Sequence, residues 1–187
     1  MSTPAAALNE PLTQISRELD ECSLGVERVI AQAADALWTH PPRGGWSVGQ
    51  CVAHLIRTAD EWAPRLDGAL ADAPSGSPPY KPKLTGRLLK WFIEPPYRMK
   101  TKAAPIFTPR QGTIPAADLL GEFLVAQQEV QRMLRLSDGK AIDRVMLPSP
   151  VNARMKYDIY STFCIIAAHE RRHLWQAERV LKALGRS

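Results

Sequence analysis

Apolar residues recur at steps of three and four along the first part of the chain: Leu12, Ile15, Leu19, Cys22, Val26, Val29, Ala33 and Leu37. That spacing returns side chains to one side of a helix at every turn, so it predicts a long amphipathic helix, ended by His40-Pro41-Pro42. A second helix is expected to start at Ser47. There Ser47 and Gln50 have the S-x-x-Q spacing of a capping box, Trp46 stands at the staple position, and Val48, Cys51, Val52, Leu55, Ala59, Trp62 and Leu66 form the apolar face. A third run (Leu119, Leu120, Phe123, Val125, Val130, Met133, Leu134) follows Pro115 and stops near Asp138-Gly139. The fourth begins around Asp158 to Ser161 and ends before Gly185, a residue suited to a helix C-terminus. The stretch between the last two, DRVMLPSPVNARMKYD, has too little periodicity to predict an element.

These four helices predict an all-α four-helix bundle. Helices two and three are separated by roughly forty residues dense in proline, with at most a short helix at GRLLKWFIE. So long a link reads as a crossover that lets the two helices run parallel, a packing in which metal sites are built from inward side chains. With 187 residues, 45% of them hydrophobic, the chain suits one compact domain, 1–187, carrying a basic proline-rich insertion at about 72–113.

The insertion changes the electrostatic picture. The net charge is +5, and between Ser77 and Gly112 lie Lys81, Lys83, Arg87, Lys90, Arg98, Lys100, Lys102 and Arg110 against the single acid Glu94. Such a surface attracts anions, or simply keeps a solvated loop soluble. Its aromatic residues Tyr80, Trp91, Phe92 and Tyr97 match no nucleic-acid motif, so nucleic acid is not the expected partner. The start of the chain has no basic and apolar leader and no later run is long enough to span a bilayer, so a cytoplasmic protein with no membrane partner is expected. Cys22, Cys51 and Cys164 are widely spaced at apolar helical positions and read as reduced core residues.

The candidate chemistry lies in AAHERRHLWQAERV, residues 167–180, where His169, Glu170 and His173 spell H-E-x-x-H. Two histidines four residues apart on a helix lie one turn above each other and reach one metal ion. A protease built on this motif takes its third ligand from downstream. Here no histidine or cysteine follows His173, and Glu178 points about 140° away on helical geometry. The third ligand must come from elsewhere, and His54 on the second helix is the credible nitrogen, since His40 lies in a proline-bounded turn. The helical wheel places His169 and His173 among Thr162, Ile166, Ala177, Val180 and Leu184, facing the core. It puts Arg171, Arg172, Trp175, Glu178 and Arg179 on or near the opposite side.

The capped GGWSVGQCVAHL and the later AAHERRHLWQAERV together resemble the DinB superfamily of metal-binding four-helix bundles, which includes YfiT-like proteins and bacterial thiol transferases. This DinB is distinct from the DNA polymerase of the same name. The resemblance rests on Trp46-Ser47, on one histidine within helix two, His54, and on an H-x-x-x-H pair on the last helix, His169 and His173. It implies a divalent metal site. Zinc and nickel both suit three nitrogen ligands. Such a metal acidifies water or a thiol and polarises a carbonyl, so hydrolysis and thiol S-transfer to or from a small molecule both follow.

Around this centre, Glu170, about 60° from His173, is a candidate general base, with a salt bridge to an arginine as its alternative. Gln176 is a candidate for orienting a ligand. Arg98 and Lys100 are candidates for holding the carboxylates of a low-molecular-weight thiol. The competing reading is a non-enzymatic module with a structural or absent metal, whose basic insertion binds an anionic partner. A homodimer contact through Trp175 and the apolar part of the insertion is compatible with both.

Overall fold

A computed structural model describes residues 8–96, 103–109 and 113–186. It contains five α-helices, α1 (Glu10–Ala33), α2 (Val48–Ala71), α3 (Leu84–Ile93), α4 (Ala116–Leu136) and α5 (Ile159–Ala183), with one-turn 3-10 helices at Ala34–Ala36 and Pro105–Phe107. The boundaries follow local chemistry. Asn9 caps α1, and Asp158 caps α5 by accepting from the Ser161 amide at 2.8 Å. Ser47 and Gln50 form the capping box of α2 in both directions, at 3.1 and 3.2 Å. Gly185, with φ of 70°, takes the left-handed turn after α5 that other residues adopt only with strain.

Helices α1 and α2 each pack against both α4 and α5, so the four long helices form a square in which α1 and α2 touch little. Their inward faces make two apolar clusters. One gathers Leu12, Leu19, Trp62, Leu66, Val130, Met133 and Phe163; the other gathers Val26, Val29, Val48, Cys51, Leu119, Phe123, Ala177 and Val180. The first halves of α2 and α4 share one cluster and their second halves share the other, so these two helices run side by side in the same direction. Each fully buried Leu or Phe contributes about 1.5–3 kcal/mol, less the entropy of ordering it. Cys22 and Cys51 are buried and unbridged, and burial pushes both thiols well above their ordinary range.

The segment ahead of α5 that carries no periodic signal forms a short antiparallel hairpin, β1 (Met146–Pro148) with β2 (Lys156–Asp158). Leu147 pairs with Tyr157 and both are buried, while Met146 and Lys156 face out. Three residues per strand are too few to show alternation in a sequence. The short helix expected at GRLLKWFIE is α3. It packs on α5 at Gly86, where any Cβ would collide with the Ser161 side chain. None of the described helices is long and apolar enough to cross a membrane.

Candidate metal centre

Three imidazoles converge where the first half of α2 faces the middle of α5. Ring centroids lie 5.0 Å apart for His54 and His169, 4.3 Å for His54 and His173, and 4.5 Å for His169 and His173. One nitrogen from each ring can be chosen so that all lie within 4.8 Å of one another. The Nε2 atoms of His54 and His169 are 3.2 Å apart. Nitrogen ligands about 2.0–2.1 Å from a tetrahedral zinc stand about 3.3 Å apart, so this edge already has the span of a coordinated pair.

The surroundings keep the rings in the ligating state. Burial lowers the pKa of all three; His54 is brought down to about 4, with the nearby Arg172 charge acting in the same direction. The Phe107 carbonyl opposes this for His54, accepting a hydrogen bond from Nδ1–H at 2.6 Å. That bond fixes the tautomer and leaves the Nε2 lone pair pointed at the other imidazoles. The Arg57 guanidinium donates from Nε to the neighbouring Ile106 carbonyl at 3.0 Å, so the turn Pro105–Phe107 is tied to α2 at two points. Trp46 covers the group, its ring centroid 4.7 Å from His54 and 5.7 Å from His173.

The donor set fits a divalent cation. One proton shared between the facing Nε2 atoms satisfies His54 and His169, but Nδ1 of His173 is buried without a hydrogen-bond partner. A buried nitrogen left this way costs about 1–3 kcal/mol. A metal offers three electron-pair donors a common acceptor, which no single proton can do.

The imidazoles border a cavity of about 700 Å³ whose wall includes Trp46, Phe107, Arg172, Trp175, Gln176 and Arg179. Three sequence expectations are revised by it. Arg172, Trp175 and Arg179, expected on the far side of the helix, all line the cavity, and Arg172 is only 8% exposed. The cavity opens beside α5 rather than at the bundle axis, and residues 172, 175, 176 and 179 follow the i, i+3, i+4, i+7 spacing of a single helical face. That spacing was the available signal. Trp175 is half-buried in this wall.

Glu170 and Gln176 each stand about 60° from His173, but on opposite sides of it. Gln176 is on the cavity side, where its side chain favours protonation of His173 against the larger effect of burial. Glu170 is on the other side, between α1 and α4. Its Oε2 accepts from Gln127 Nε2 at 2.8 Å, and burial raises its pKa to about 8 despite that bond. Among the described residues its carboxyl bonds to Gln127 rather than to an imidazole, and the Arg171 charge lowers its pKa only against the larger effect of burial, that guanidinium pairing with Glu18 at 2.6 Å and Glu94 at 2.7 Å. Arg98 and Lys100 lie outside the described residues. The Phe107 carbonyl, which orients His54, had no sequence signal at all.

No curated protein and no solved structure matches the chain. The family model for the DinB superfamily matches residues 19–177, a span holding all three histidines, the capped start of α2 and most of α5. With the helical bundle and the buried imidazole group in place, that match settles the lineage: the chain belongs to the DinB superfamily.

Proposed function

We propose that His54, His169 and His173 hold a divalent metal, zinc or nickel, and that the protein is a metal-dependent enzyme acting on a small molecule, as a hydrolase or a low-molecular-weight thiol S-transferase. The observation that carries this reading is the buried group of three neutral imidazoles, one nitrogen of which is without a partner. A cation held by uncharged ligands keeps its full charge, and so supplies acidification of water or a thiol and polarisation of a carbonyl.

The chain's own residues do the rest. Phe107 holds a proton on His54 Nδ1 so that Nε2 is free to bind. Trp46 and Phe107 pack against the His54 ring and keep water from that side. The cavity gives a substrate room beside the imidazoles, and Gln176 on its wall carries a neutral donor and acceptor for orienting it.

Metal analysis of the purified protein tests the reading, with His54→Ala and His173→Ala alongside. Stoichiometric zinc or nickel in the parent and its loss in both variants is expected; unchanged content in the variants ends the assignment. Turnover of thiols with electrophiles, against turnover of esters and amides, then separates transferase from hydrolase. Salt-sensitive retention on nucleic acid, abolished by neutralising the insertion lysines and found without any metal, would instead favour the binding module.

A further inference from the structure

The wall of the cavity beside the imidazoles carries charge of one sign. Among the described residues it carries two guanidinium groups, Arg172 and Arg179, and no carboxylate. The acids nearest in sequence are engaged elsewhere: Glu94 and Glu18 hold Arg171, Glu178 faces Arg28 at 3.5 Å, and Glu170 meets Gln127. Arg171 is thus neutralised on one side of α5, while Arg179 lines the cavity on the other.

Arg179 lies over the Trp175 ring, its guanidinium carbon 4.9 Å from the ring centroid. Cation–π stacking engages the face of a guanidinium and leaves its in-plane N–H fork able to bind an oxyanion in two places. Trp46, Trp175 and Phe107 supply flat apolar surface in the same cavity. Its volume of about 700 Å³ suits a small organic molecule.

We infer that this cavity binds a small molecule with an oxyanionic group, carboxylate or phosphate, on a flat apolar body, the anion held by the Arg179 fork and the body by the tryptophans. The inference rests on the proposed function in taking this cavity as the substrate site. It draws on the wall residues alone, so it can fail separately.

The test titrates 1-naphthoate, 1-naphthyl phosphate and neutral 1-naphthamide into the protein, following tryptophan fluorescence and heat of binding. The parent is used with added zinc and after chelation, beside Arg179→Gln and a control, Arg28→Gln, whose arginine lies outside the cavity wall. At least one anion should bind about tenfold tighter than the amide, with Arg179→Gln removing most of that preference and Arg28→Gln none. The tighter of the two anions identifies the group. Equal affinity for amide and anions, or a preference that survives Arg179→Gln, overturns the inference. If the metal assignment alone is wrong, the anion preference persists in chelated protein; if the inference alone is wrong, metal content still falls in His54→Ala.

Discussion

Two groups of polar side chains are buried against α5, and they differ in whether the protein alone completes them. On the side facing α1 and α4, Gln127 donates to Glu170 and to the Leu19 carbonyl at 3.1 Å. One turn along, Gln131 donates to the Ser16 carbonyl and to Asp20, and Ser16 donates back to Gln131 at 2.9 Å. On the side facing α2, three imidazoles crowd together, with the Phe107 carbonyl on His54, the Gln176 side chain on His173, and a His173 nitrogen with no partner. A closed network adds rigidity and asks for nothing more. An open one retains a cost that a ligand can remove, which is why burial of histidines alone says less than where their hydrogen bonds end.

The response to metal should separate the two sides most widely. Zinc or nickel at about a thousandfold over its dissociation constant should stabilise chelator-treated protein by about 4 kcal/mol, seen as a higher unfolding temperature. His169→Ala should abolish the shift and Gln127→Ala should keep it; equal shifts in both would erase the distinction. Next in size, Gln127→Ala strips Glu170 of its donor and should cost about 1–3 kcal/mol in urea unfolding. Replacing both partners, Gln127→Leu with Glu170→Met, should restore most of that stability, whereas strictly additive losses would show that the pair is not a closed unit. Smallest is Ser16→Ala at the edge of the network, expected to cost about 0.5–1.5 kcal/mol while metal uptake stays unchanged.

The sequence made the four long helices legible because each is long enough for its apolar spacing to repeat several times, and because Ser47, Gln50, Pro115 and Gly185 punctuate their ends. The hairpin escaped because β1 and β2 are three residues each, with Pro148 in the first. The histidines were legible from their four-residue spacing on α5 and from the shortage of other nitrogens. The rest of the site was less so, for a geometric reason. A helical wheel gives an angle from His173 but not which neighbouring helix lies in that direction, so Glu170 and Gln176 looked equivalent until α4 and the cavity were placed. Arg172, Trp175 and Arg179 depart from expectation through the same ambiguity, since the wheel takes the bundle axis as its reference and the cavity lies to one side of it.

The acceptor that orients His54 belongs to the peptide group of residue 107, and every amino acid carries that oxygen. Substitution at this position can reshape the edge the imidazole packs against, yet it cannot delete the atom that sets where the ring's proton resides. Sequence drift in the surrounding insertion is therefore tolerable to the histidine group as long as the turn keeps its place on α2, and an alignment column at this position would record little trace of the constraint.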